Sequence, residues 1–369
     1  MNLAASISIS LIVPIIFLFV LQTFDLLKTV KFRNNILTLI WGAAAYYLAA
    51  QINPLFVKLG LLEWDQVVRY VAPVVEELLK SLILIYLVTR PEFNYVVDGA
   101  LYGFGAGIGF AIIENVEYVQ GNIAFAFITA LARVFSTNLM HATSSGLIGT
   151  ALAFNRGEKN KLRGGFVILG GYLLAIFFHG AFNTMVNAGV FLPFAIGYGV
   201  FGVALIWYVI RRGMAAQKDW VGEKLGVQDR VTKEEARAVT GIDRIVETLI
   251  LPFRERFGNE KVPLVKELMY KQAEIGIKRK LLDATPSPTK QKEVENITQT
   301  LYKEMEELRR QIGLYPMMFV REVYLGQDIN TWDKLGTRIA ETGTGQRGGG
   351  LWDAATARIK QSKSQEDKS

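Results

Sequence analysis

Three glutamates and two histidines lie in apolar surroundings at positions from which they could act on water. The segment VAPVVEELLK, residues 71–80, sets Glu76, Glu77 and Lys80 in a run of valine and leucine. Glu114 follows in GFAIIENVEY, His141 in STNLMHATSS, and His179 in HGAFN, where Asn183 stands four residues on. The 369-residue chain has no other histidine. A carboxylate can take a proton from water as a general base, and imidazole or amide groups can orient that water or a carbonyl under attack. The chain contains no cysteine, which excludes thiol nucleophiles, thiolate–metal sites and disulfides.

Each of these groups falls inside a stretch long enough to cross a hydrocarbon core of about 30 Å. Such stretches occupy roughly 4–24, 36–56, 66–89, 97–119, 123–154, 166–187 and 190–210, which predicts seven spans. The first lacks a basic leader and a small-residue cleavage site, so it reads as a span and not a signal peptide. The fifth is too long for one straight crossing. It divides into an interfacial piece near 123–132 and a span from about Arg133. Basic residues follow alternate spans: Lys28, Lys31 and Arg33; then Arg90; then Arg156, Lys159, Lys161 and Arg163; then Arg211 and Arg212. The positive-inside rule then gives a cell-membrane protein with its N-terminus outside and its C-terminus in the cytoplasm. At a rise of ~1.5 Å per residue, Glu76, Glu114, His141 and His179 come from four helices into one layer, ~8–15 Å below the outer ends.

Helical spacing orders the layer. Glu76 and Lys80 share a face, so the lysine can offset that carboxylate, while Glu77 turns towards a neighbouring helix. Phe110 and Glu114 share another face, with Asn115 beside them. Arg133, Thr137, His141 and Ser145 form a polar stripe. Gly103, Gly105, Gly107 and Gly109 suit a central helix that its neighbours approach closely. A lone amide or hydroxyl in a span commonly ties helices together, the role expected of Asn138, Thr143 and Asn187. Carboxylates differ, because each charge at mid-membrane costs ~2.5–3.5 kcal/mol, and three of them indicate a working cavity.

Two activities fit such a cavity: hydrolysis by activated water, or a proton-coupled transporter or channel in which the same carboxylates relay protons. No internal repeat or pair of Pro/Gly-broken helices supports transport. A scaffold for the charged tail is a third reading. Among proteases, the zinc motif H-E-x-x-H is absent, Asp98 at a span boundary is the sole candidate for an intramembrane aspartate, and no G-x-S-x motif surrounds Ser144 or Ser145.

Taken in order, EELLK, GFAIIENVEY, His141 and HGAFN resemble the PrsW-type intramembrane proteases, part of a wider group with the CAAX prenyl endopeptidases and Abi proteins. The wider group carries a di-glutamate motif, then F-x-x-x-H, then H-x-x-x-N. Here Phe110 to Glu114 reads F-x-x-x-E, similar to the PrsW variant, and Lys80 follows the di-glutamate at that branch's spacing. The resemblance covers about residues 1–210. It implies peptide-bond hydrolysis with Glu76 as base and Glu77 supporting it. His179 and Asn183 would orient the substrate carbonyl and stabilise its oxyanion. Glu114 would replace a water-positioning histidine, and His141 would complete the polar ring, with Lys80, Phe110, Asn115 and Arg133 in support. Zinc or another divalent metal is compatible with Glu76, Glu114, His141 and His179. The implied substrate is a single-pass membrane protein of the anti-sigma-factor kind.

Residues 211–369 hold 29 Lys/Arg and 24 Asp/Glu, against 12 and 10 in residues 1–210. The asymmetry predicts a membrane-embedded domain at 1–212, a charged helical cytoplasmic region at 213–343 and a disordered tail at 344–369. The fold class is thus an all-α polytopic membrane protein. The mixed charge allows weak attraction to anionic lipid and gives no nucleic-acid stripe. Amphipathic segments are expected near 231–251 and 261–282, with TPSP at 285–288 breaking the helix. A further helix at 290–312 puts Val294, Leu301 and Leu308 at sevens, with Ile297, Met305 and Ile312 on the same side. Three heptads favour a helix packed in a small domain over a coiled coil. Regulation, self-association or partner docking is the expected role of this region.

Overall fold

A computed structural model describes residues 3–23, 25–187, 192–226, 229, 231–285 and 287–321. The expected disordered tail lies outside the described residues. The membrane helices are α1 (Leu3–Gln22), α2 (Phe32–Lys58), α3 (Ala72–Val88), α4 (Val96–Gly121), α5 (Ala126–Phe135), α6 (Thr137–Gly157), α7 (Lys161–Asn187) and α8 (Leu192–Lys224). After them come α9 (Lys233–Thr240), α10 (Leu251–Phe257), α11 (Val262–Ala284), α12 (Pro288–Ile312) and α13 (Leu314–Val320). No strand occurs among the described residues.

Among the described residues, six helical stretches are long and apolar enough to cross a membrane: Leu3–Gln22, Phe32–Lys58, Val96–Gly121, Ile123–Gly157, Lys161–Val186 and Pro193–Lys224. The expected span at 66–89 is not among them. Its regular helix, α3, has 17 residues and carries Glu76, Glu77 and Lys80, and a π turn at Val67–Val71 leads into it. It nevertheless runs the depth of the bundle. Thr29 Oγ1 donates to Asp98 Oδ1 at 2.7 Å and the Lys31 N–H to Tyr102 Oη at 2.9 Å, so α2 and α4 start at the same end. Joining the end of α2 to the start of α4, α3 must pass from one end to the other.

Helix α4 is the axis of the bundle, with residues 96–112 buried throughout. Glycine allows this on two faces. A Cβ on Gly107 would stand 2.3 Å from the His141 carbonyl oxygen on α6, and one on Gly109 would stand 2.0 Å from the Leu39 carbonyl oxygen on α2. Backbone cannot yield there as a flexible side chain could, so Gly107→Ala must push α6 away and His141 with it. Overpacking of this kind costs ~1–3 kcal/mol or more. We expect the variant to melt below wild type in detergent, and an unchanged melting temperature would refute the close contact.

The fifth expected stretch does divide, but at Ser136 (φ −127°, ψ −74°) and not near Arg133. Arg133 therefore lies in the last turn of α5, and its stripe with Thr137, His141 and Ser145 is not carried on one continuous helix.

The C-terminal helices form a second core around α11, in which Leu268, Met269, Ala273 and Ile275 are buried. Helix α12 lays Leu301, Met305, Leu308 and Ile312 into it, with Ile297 half-buried against them and Val294 buried outside that cluster, as the sequence pattern predicts for a packed amphipathic helix. The expected segment at 231–251 is broken: Gly241 ends α9, and a 3-10 turn and a π turn follow. Helix α8 passes through residue 212 without interruption. The second core sits against one end of the bundle. Lys278 Nζ donates to the Pro91 carbonyl at 2.7 Å, Lys31 Nζ lies 3.6 Å from Glu274 Oε2, and Leu27 is buried among the C-terminal side chains. Burial pushes the Lys278 ammonium down to about 8. Arg156 Nη1 donates to the carbonyls of Val88 and Arg90. The α1–α2, α3–α4 and α6–α7 connections thus gather at the end that carries α9–α13.

Candidate active site

The buried centre of α3 supplies three ionisable groups, and the helices around it determine what each one does. Glu77 is saturated. Its Oε1 lies 2.5 Å from Lys80 Nζ and 2.9 Å from His179 Nδ1, and its Oε2 accepts from Ser145 Oγ at 3.1 Å. Lys80 therefore pairs with the glutamate three residues back, not with Glu76 as the shared face predicts. The reason is His141: Lys80 Nζ lies 3.0 Å from its Nδ1, which draws the lysine towards α6. The Phe110 ring lies 4.6 Å from the same nitrogen and covers the pair.

These contacts fix both imidazoles. An ammonium only donates, so His141 Nδ1 accepts and its Nε2–H is left to donate to Glu114 Oε2 at 2.9 Å. The same Glu114 oxygen lies 2.8 Å from Arg133 Nη2. Arg133 Nε in turn donates to Asn115 Oδ1 at 2.9 Å, and the guanidinium lies 3.7 Å from the centre of the Tyr118 ring. His179 gives its Nδ1–H to Glu77, so its Nε2 carries a lone pair.

Glu76 is the glutamate of this layer with no lysine or arginine on it among the described residues. Its Oε1 accepts from Asn53 Nδ2 at 3.2 Å, and its Oε2 faces His179 Nε2 across 3.7 Å. Two lone pairs facing each other at that distance repel, so the gap suits a species bringing hydrogens or positive charge, such as water or a cation. One ligand atom from each of Glu76, His141 and His179 fits within a 4.8 Å cluster.

A two-histidine, one-carboxylate set is a common zinc donor combination. His179 already has the orientation of a metal-bound imidazole, with Nδ1–H on a carboxylate and Nε2 open. His141 would have to release Lys80 or Glu114 to join it. The residues fit a divalent ion, with Glu76 and His179 ready and His141 third after that exchange. Glu114, expected among the ligands, is instead tied to Arg133 and His141.

The remaining expected residues are placed as follows. Asn183 Nδ2 donates to the Val68 carbonyl in the π turn at 3.0 Å, so the role implied for it on a substrate oxyanion needs that bond exchanged. Asn53 and Ser145, as a partner of Glu77, are site residues the motifs do not mark, and Tyr118 closes the GFAIIENVEY motif without a role assigned from it.

Residues 31–210 match the model of the "PrsW family intramembrane metalloprotease". Residues 31–210 belong to the PrsW family. This PrsW region spans α2 to α7 and the first part of α8, and it holds every group of the site. Protease PrsW of Geobacillus kaustophilus (strain HTA426) is 28% identical over 142 residues, which is 38% of this chain and 60% of the relative. The chain thus covers less than two thirds of that relative's length, and α9–α13 lie outside the family match. No solved structure matches the chain.

Proposed function

We propose that the protein is an intramembrane endopeptidase that hydrolyses a peptide bond of a membrane-embedded substrate with water activated at Glu76. The carrying observation is the 3.7 Å gap between Glu76 Oε2 and His179 Nε2, beside a Glu77 carboxylate already held by Lys80, His179 and Ser145. A water there donates one proton to Glu76 and is oriented by His179. Its oxygen adds to the substrate carbonyl carbon, and the carboxylic acid of Glu76 then protonates the departing amine. Glu77 holds the His179 ring, Lys80 holds Glu77 and His141 together, and Asn53 aims Glu76. A bound divalent metal would add Lewis-acid polarisation and a lower pKa for the attacking water. Asn183 steadies the turn that delivers α3, unless the substrate carbonyl draws its amide away from Val68.

Co-expression with single-pass membrane proteins, with fragments identified by mass spectrometry, tests this reading. Cleavage within or beside the span of one of them is expected, and cleavage should fail in His179→Ala. Chelation followed by metal return separates the two chemistries: a metal enzyme loses and regains activity, while a glutamate-only enzyme keeps it throughout. Proton-coupled flux through reconstituted protein with no cleavage of any candidate would overturn the proposal. The expected substrate, a single-pass protein of the anti-sigma-factor kind, belongs to the same proposal.

We infer an orientation with the N-terminus outside and seven crossings, α3 included. The loops at the end carrying α9–α13 are the basic ones, which supports placing that end in the cytoplasm. Reporter fusions after Lys159 should read cytoplasmic and fusions after Asn122 external. The reverse pattern would invert the topology.

A further inference from the structure

A cavity of about 310 Å³ opens where the PrsW region meets the C-terminal helices. Val88 and Thr89 at the end of α3, Leu152 and Arg156 at the end of α6, and Lys161 at the start of α7 form one wall. Ser287, Lys290, Glu293 and Val294 on the first turns of α12 form the other. None of the mechanism's groups is here, yet the charge is distinctive. Three cations face one carboxylate, and among the described residues none of the three has an acidic partner. Arg156 donates only to the carbonyls of Val88 and Arg90, Lys161 Nζ only to the Glu158 carbonyl at 2.8 Å, and the exposed Lys290 side chain makes no hydrogen bond or ion pair. The first intrahelical bond of α12 runs from the Gln291 N–H to the Ser287 carbonyl, so earlier amides at that end lie outside the helix ladder. That leaves positive charge and donors converging on a cavity large enough for a phosphate ester.

We propose that this cavity binds a phosphate-bearing anionic group, supplied by a phospholipid headgroup of the leaflet on the α9–α13 side. Lipid is the favoured source because of what adjoins Lys161. Leu162, Phe166, Leu169 and Leu173 run up the outside of α7 with 55–72% of their surface exposed, a track on which acyl chains can lie. The headgroup then bridges α7 and α12, and beside it Val88 and Thr89 end the helix that carries Glu76 and Glu77. Binding at this point would tie the C-terminal helices to the membrane surface.

The test is a binding measurement on the full chain in nanodiscs and in detergent, with no proteolysis read. Phosphatidylglycerol and phosphatidylcholine are compared, with soluble glycerol 3-phosphate as the third arm. Each basic residue near an anionic surface contributes about fivefold, so Lys161→Gln with Lys290→Gln should weaken phosphatidylglycerol binding by at least about tenfold. Both lysines are exposed and unpaired with acid, so the double variant should keep the wild-type melting temperature. Binding of phosphatidylglycerol over phosphatidylcholine, lost in the double variant, supports the lipid source. Glycerol phosphate binding that shows the same loss, without lipid preference, assigns the cavity to a soluble phosphate ester. Equal binding of both lipids by wild type and double variant, with no glycerol phosphate bound, overturns the proposal.

Discussion

Glu76→Gln is expected to leave the protein folded and abundant while lowering substrate cleavage by at least ~10²-fold. The amide keeps the shape of the carboxylate and leaves an oxygen to accept from Asn53, so the packing of α3 against α2 survives. It also removes the one glutamate of the layer with no cationic side chain on it, and a buried charge of that kind stabilises nothing. What it cannot do is take a proton from water. Glu77→Gln should impair cleavage by a different route, since an amide holds the His179 ring and Lys80 less well than a carboxylate. The exposed Glu63, outside the bundle, gives the control: Glu63→Gln should change nothing. Cleavage by Glu76→Gln at the wild-type rate, with abundance and melting temperature unchanged, would remove Glu76 from the chemistry.

The layer of ionisable groups was legible in the sequence because charge inside a span is costly enough to need a reason. Glu76, Glu77, Glu114, His141 and His179 do converge, and α4 is the glycine-lined axis the pattern predicts. The pairings were not legible. Lys80 can reach back three or four residues with similar ease along α3, and only the position of His141 on another helix decides for Glu77. Asn53 stands one residue before Pro54, near the end of α2, where an amide reads as an ordinary boundary residue. The break between α5 and α6 falls at Ser136 where no Pro or Gly marks it, so periodicity alone carried the stripe past Arg133. The crossing by α3 is the converse case. The apolar run at 66–89 reads as a span in the sequence, a π turn and three charges leave a regular helix of 17 residues, and the hydrogen bonds at the starts of α2 and α4 require the crossing.

Lys80→Met is expected to cost more stability than any other single change in the site. The lysine is fully buried, 2.5 Å from one carboxylate oxygen, and among the described residues it supplies the only ammonium in the layer. Methionine fills its volume but leaves Glu77 ionised against His179 and Ser145 alone. Removing one partner of a buried ion pair costs ~3–5 kcal/mol, because the other charge stays behind without compensation. Unfolding in detergent should therefore begin at a clearly lower temperature, and cleavage should fail because His141 loses the donor that fixes its tautomer. The double variant Glu77→Gln with Lys80→Met distinguishes a charge effect from a packing effect. With both charges gone, most of the melting temperature should return, giving a large coupling between the two sites. Activity should not return, since His141 still lacks the Lys80 donor and an amide holds His179 less well than the carboxylate does. If the two losses of stability simply add, the pair is not what holds α3 to α6 and α7, and the packing of Phe110 over Lys80 would have to carry that role instead.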